Sequence, residues 1–258
     1  MQEFLTPFES VTGLIDLFTL VVMEIVLGID NIIFIAIICG YISGKKQQAR
    51  ARFIGLSMAL VVRIILLSMI SYITGLTTPF FSLGDHPVTG RGLILFAGGM
   101  FLIIKTTTEI YHKFKISDHE ESKKSRQLTM LQAILQITFI DIVFSFDSII
   151  TAVGLSNHIP IMVIAVVVAM IVMLLFAPYV STFIEKYPTI KMLALAFLVV
   201  IGIILTEEAL EDAHFLHLPE GVDVKTYAYI ALAFSMIVEL LNIRLRNVKE
   251  RKGLKVDD

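Results

Sequence analysis

Long apolar runs separated by short polar segments organise the chain, and the runs are all of one kind. They occupy roughly 14–39, 53–75, 91–108, 132–154, 161–184, 191–206 and 226–245. A bilayer core about 30 Å thick needs about 20 helical residues at 1.5 Å each. The seven runs therefore predict seven transmembrane helices. The segments between them are short except for 109–130 and 207–225, and none shows the every-second-residue alternation of a strand. Apolar runs this long exclude a β-barrel, whose strands alternate over about ten residues. The expected fold is an all-α membrane protein.

Composition sharpens that expectation. Of the 258 residues 56% are hydrophobic and only 17% charged, with a mean hydropathy of +0.83, which leaves no ordinary soluble surface to cover a core. No Lys or Arg precedes the first apolar run, so the basic start of a cleaved signal peptide is missing and the first helix is expected to stay as an anchor. The single cysteine, Cys39, can form neither an intrachain disulfide nor a multi-thiolate metal site.

Charge sets the expected orientation. Eighteen of the 21 Lys and Arg residues lie at or beyond the ends of helices one, three, five and seven; the exceptions are Arg63, Arg91 and Lys225. Basic residues mark the cytoplasmic side, so the N-terminus is expected outside and the C-terminus in the cytoplasm. The seven tyrosines fall near expected helix ends, where they would anchor the interface or find hydrogen-bond partners.

One ten-residue stretch is written twice. Residues 24–33 read EIVLGIDNII and residues 141–150 read DIVFSFDSII, each placing two acids six positions apart in a transmembrane run. The copies lie in helices one and four, so three crossings separate them and they run in opposite directions. The chain is thus expected to hold two inverted three-helix repeats, 14–108 and 132–206, joined by a cytoplasmic connector at 109–130, with 226–245 as an extra C-terminal helix. Transporters built this way bind ions near the midplane, between the repeats.

Glu24 and Asp30 lie within roughly 3 to 6 Å of the centre of helix one, and Asp141 and Asp147 straddle the centre of helix four. Each buried charge costs about 2.5–3.5 kcal/mol on insertion scales, so four at one depth require a purpose. Glu24, Gly28 and Asn31 share a helical stripe, as do Asp141, Ser145 and Ser148. A six-residue step leaves Asp30 and Asp147 about 120° away from those stripes. Two arrangements follow. Either the helices unwind at Gly28 and Ser145 and all four acids meet one ion, or they stay regular and the acids form successive stations along a path.

Glu, Asp, Asn and Ser supply hard oxygen ligands, and neither stretch contains His or Cys. That donor set suits Mn, Mg or Ca better than Zn or Cu. The six histidines lie in or beside loops. His214 and His217, with Glu207, Glu208, Glu211 and Asp212, form an outer acidic cluster that reads as a solvated loop or a collector of cations. Arg63, at the centre of helix two, needs a carboxylate or a water-filled cavity, and the four acids supply the first. Glu239 and Asn242 in helix seven could extend the path toward the cytoplasm.

At EIVLGIDN (24–31), DIVFSFDS (141–148), KTTTE (105–109), the acidic end of helix six and VELLNIRLR (238–246), the chain resembles the TerC family of integral membrane proteins. That family is named for tellurium resistance and belongs to the broad superfamily of the LysE-type exporters. The resemblance implies seven transmembrane helices and manganese export, with Glu24, Asp30, Asp141 and Asp147 as metal residues and Asn31 and Ser148 following by the same alignment. It implies Mn²⁺ as cargo ahead of Ca²⁺ or Mg²⁺, no organic cofactor, no enzymatic activity and no nucleic-acid partner, and it leaves the oligomeric state open. Some family members append cytoplasmic domains after helix seven, and from the few residues that follow it here none is expected. The rival readings are a LysE-like exporter of a small solute such as an amino acid, a non-transporting metal-binding partner protein, and an intramembrane aspartyl protease. The last usually carries GxGD, which is absent here.

Overall fold

The computed structural model describes residues 10–83, 86–118, 128–155, 158–216 and 224–251. Among the described residues, seven helices are long and apolar enough to cross a membrane. The first span is made of two pieces, α1 (Val11–Leu27) and α2 (Ile29–Gly40), interrupted only at Gly28. The second is α3 (Lys45–Ser68), followed by a short helix α4 (Ile70–Gly75). Spans three to seven are α5 (Gly90–Asp118), α6 (Met130–Leu155), α7 (Ile159–Lys186), α8 (Pro188–Asp212) and α9 (Val224–Arg251). Ser10 starts α1 by accepting a hydrogen bond from the Gly13 N–H at 3.0 Å, which satisfies one of the backbone donors that a helix start leaves bare.

Two features depart from the expectation. Span two begins at Lys45 rather than near 53, and α5 runs to Asp118, into the expected connector. Basic and polar residues are good helix formers, so the helices continue beyond the apolar stretch that hydropathy detects. The second departure is an antiparallel hairpin between spans two and three, β1 (Pro79–Leu83) with β2 (His86–Thr89), paired Leu83 to His86 and Ser82 to Pro87. The remainder of the connector, 119–127, lies outside the described residues.

The lipid-facing surface follows from helical periodicity. On α1, Val11, Leu14, Ile15, Phe18, Val22 and Val26 are exposed, spaced by three, four and seven residues along one stripe. Inside the bundle α1 packs on α7, α3 on α6, and α5 on α8, while α2 is surrounded by α3, α6, α7 and α8. Exchanging spans one, two and three for four, five and six leaves the principal pairs unchanged: one with five maps to four with two, and three with six maps to itself. Span seven lies outside that pattern, against α8.

The three-six seam is tight because glycines face each other. A Cβ on Gly99 would sit 2.5 Å from Thr206 Oγ1 and 2.7 Å from the Gly202 carbonyl oxygen, and one on Gly202 would sit 3.0 Å from the Gly99 carbonyl oxygen. Without a driving force between apolar surfaces in lipid, close backbone approach of this kind holds helices together by dispersion. At the centre of the bundle every residue from Asp30 to Cys39 is buried, as expected of a helix apolar on all sides.

Candidate ion pathway at the centre of the bundle

Glu24 is the last buried residue of α1, one turn before Gly28. A Cβ on Gly28 would lie 2.5 Å from Met173 Sδ and 2.9 Å from the Glu24 carbonyl oxygen. The glycine therefore lets α7 approach span one beside the acid. Its backbone stays close to helical, with φ −83° and ψ −5°, and its N–H still bonds the Glu24 carbonyl at 2.9 Å. The interruption at Gly28 is one residue long, far short of the unwinding that a single four-acid site requires. In the second copy there is none, since α6 runs unbroken through Ser145.

Arg63 joins the two copies. It is buried in α3, and its guanidinium Nη1 donates to Glu24 Oε2. Nη2 lies 3.6 Å from Asp141 Oδ1, and Nε donates to Ser145 Oγ at 2.8 Å. Ser145 in turn donates to Asp141 Oδ2 at 3.2 Å, and Asn31 Nδ2 donates to Asp141 Oδ1 at 3.4 Å. All five residues are buried. Buried charges persist only when paired and hydrogen-bonded, and this cluster meets that condition with one cation shared between the first acid of each copy.

Asp30 faces elsewhere, as the six-residue step requires when the helix stays nearly regular. Its Oδ2 accepts from the Tyr229 hydroxyl of α9 at 2.8 Å, while Oδ1 is buried without a hydrogen-bond partner among the described residues, as is Asn31 Oδ1. A cavity of about 30 Å³ adjoins it, lined by Leu27, Asp30, Phe144, Ser148, Lys225 and Tyr229 among others. That is room for about one water molecule or a bare ion. Ser148, from the second copy, donates to the Ser145 carbonyl at 3.3 Å and brings its hydroxyl to the cavity wall. The side chain of Asp147 lies outside the described residues.

Glu24, Asp30 and Asp141 thus do not form one cage. Among the described residues no three Asp, Glu, His or Cys side chains converge as a metal site, and the geometry is that of successive stations: Glu24 and Asp141 around Arg63, then Asp30 beside the cavity. Tyr229 is the participant that sequence reasoning missed. Its position near a helix end groups it with the interfacial tyrosines, and a partner 199 positions away leaves no local signal.

Charged side chains cluster at both ends of the bundle. Of the acidic cluster 207–212, Glu208 and Asp212 are held in ion pairs on helix α8 rather than on a loop. Arg91 bonds Asp212 at 2.7 Å and reaches Glu208 at 3.4 Å, and Lys225 bonds Glu208 at 2.7 Å. The two basic residues of that side are thereby used, and His217 lies outside the described residues. At the opposite end Lys105 bonds Glu109 at 2.8 Å and Lys191 sits 4.7 Å above the Tyr41 ring. Glu239 accepts from Thr189, tying α9 to α8, and Asn242 is exposed.

A seven-span bundle whose two acid-bearing helices meet at a buried charged centre defines a polytopic integral membrane protein with a polar interior. The family follows: residues 9–254 match the model of the integral membrane protein TerC family, and the chain belongs to it. It is similar to a UPF0053 protein of Haemophilus influenzae, 44% identical over 234 residues covering 91% of this chain and 94% of that one. It is also similar to two Escherichia coli proteins. These are UPF0053 inner membrane protein YgdQ, 45% identical over 231 residues and 92% of its length, and UPF0053 inner membrane protein YoaE, 43% identical over 241 residues but only 44% of its length. No solved structure matches.

Proposed function

We propose that the protein is a membrane transporter that exports a divalent metal ion, manganese in the first place, from the cytoplasm in exchange for protons, and that it is not an enzyme. The observation that carries the proposal is the meeting of the two repeated stretches, Asn31 on Asp141 and Arg63 between Glu24 and Asp141. Acids this costly to bury, from two halves of one bundle, are placed where an ion would pass between repeats. Their donors are oxygens throughout, which favours Mn²⁺ over Zn²⁺ or Cu²⁺, with Mg²⁺ and Ca²⁺ as weaker rivals. Glu24, Asp30, Asn31, Asp141, Asp147 and Ser148 would meet the cargo in turn.

The distribution of basic residues supports an N-terminus outside and a tail in the cytoplasm, and the relatives named as inner membrane proteins support the bacterial inner membrane as its location. Three crossings per half make the two triplets inverted repeats. Proton exchange follows from charge: carboxylates crowded in a low-dielectric interior resist common ionisation, so protons and a divalent cation compete for them.

The test is Mn²⁺ flux in proteoliposomes. The reading expects Asp30→Asn and Asp147→Asn each to abolish flux, Glu211→Gln, on the exposed outer end of α8, to leave it near wild type, and flux to respond to a pH gradient at fixed membrane potential. Equal transport of Zn²⁺ uncompeted by Mn²⁺, or full activity in both Asp variants, would overturn it. A LysE-like carrier of an amino acid would instead show no metal flux.

A further inference from the structure

Resting on the metal-transport reading, we propose that Arg63 is a tethered cation that occupies the Glu24–Asp141 station between transport events and is displaced from it by the cargo. Three observations point there. The guanidinium engages both acids, one from each repeated stretch, together with Ser145 between them, so all its contacts in this cluster are those an arriving ion would take. The halves are related by sequence and by neighbour pattern, yet only one carries an arginine: by the spacing that sets Glu24 against Asp141, the position matching Arg63 is Val180. An arginine present once, between the first acids of the two copies, serves the joint site rather than either half. Finally, Asn31, whose Nδ2 bonds Asp141, keeps its own Oδ1 buried without a hydrogen-bond partner among the described residues, an acceptor available to an ion at this station.

Charge arithmetic gives the exchange its direction. Two ionised carboxylates with Arg63 sum to −1, and adding a divalent ion without moving the arginine makes the station +1, with two cations held side by side in a low-dielectric interior. Releasing Arg63 leaves two carboxylates with one divalent ion, at net zero. The arginine therefore lowers the apparent affinity by the fraction of time it holds the station, and its return helps the ion to leave.

The experiment uses the full chain in nanodiscs, with Mn²⁺ binding followed by loss of the free-ion paramagnetic signal, alongside flux in proteoliposomes. Arg63→Gln is expected to bind Mn²⁺ about tenfold more tightly while transporting more slowly, because nothing re-enters the station to expel the ion. Arg63→Lys keeps a charge without the planar fork and is expected to tighten binding about threefold; it serves if the glutamine variant does not fold. Adding Glu24→Gln and Asp141→Asn to Arg63→Gln should remove the gain. Unchanged or weaker binding in the arginine variants, with binding intact in the wild type, overturns the proposal alone. If neither wild type nor variants bind Mn²⁺ saturably, the metal-transport reading fails and takes this inference with it.

Discussion

Gly99→Ala tests whether the three-six seam is fixed by backbone contact. The added Cβ would lie 2.5 Å from Thr206 Oγ1, 2.7 Å from the Gly202 carbonyl oxygen and 2.9 Å from the Thr206 nitrogen. Two of these neighbours are backbone atoms, so rotation of a side chain cannot relieve the overlap and the helices themselves must part. Overpacking in a close-fitted interior costs about 1–3 kcal/mol, and here the upper end applies. Alanine returns about 0.5–1 kcal/mol through its better helix propensity. The net expectation is a loss of about 2 kcal/mol, roughly a thirtyfold shift toward the unfolded state. Gly75→Ala, where a Cβ would meet nothing within 4 Å, is the matched control and should be neutral or slightly stabilising. Unfolding in mixed micelles, titrated with a denaturing detergent and read by circular dichroism, compares the two. If Gly99→Ala is as stable as the wild type, or if Gly75→Ala loses as much, close backbone approach is not what holds this seam.

A double-mutant cycle on Tyr229→Phe and Asp30→Asn should return a coupling of about 1.5–3 kcal/mol, the range for a hydrogen bond to a charged acceptor; a coupling near zero in the same unfolding assay would mean that α9 is not latched to the pathway. For orientation, Lys46→Cys in a Cys39→Ala background places one thiol at an exposed helix start. It should resist an impermeant maleimide in intact spheroplasts and react once the membrane is opened, and labelling before opening would reverse the proposed topology.

The seven spans were legible because lipid imposes one length and one polarity on every crossing. The pairing of Arg63 with the acids was legible for a related reason, since an arginine at mid-membrane depth has few affordable partners. Whether the helices unwind between the acids was not, because it depends on neighbours distant in sequence. Gly28 accommodates Met173 and interrupts its helix for a single residue, while Ser145 spends its hydroxyl on Arg63 and Asp141 and leaves α6 intact. The hairpin carried a readable sign, the Gly84-Asp85 pair between Phe80-Phe81-Ser82-Leu83 and His86-Pro87-Val88-Thr89, a dipeptide type common in two-residue hairpin turns. Pro79 and Pro87 argued against a strand, and an isolated hairpin tolerates them because both its strands are edges.

The encased segment from Asp30 to Cys39 also has an electrical consequence. Packed by protein on every side, it belongs to a low-dielectric interior, and an ion passing beside it moves through part of the membrane potential. Moving one elementary charge through 100 mV is worth about 2.3 kcal/mol, so a divalent ion leaving a negative interior alone would work against roughly twice that. An exchange of one divalent ion for two protons carries no net charge across the segment. Under the proposed reading, the stoichiometry decides whether the transporter senses membrane voltage at all.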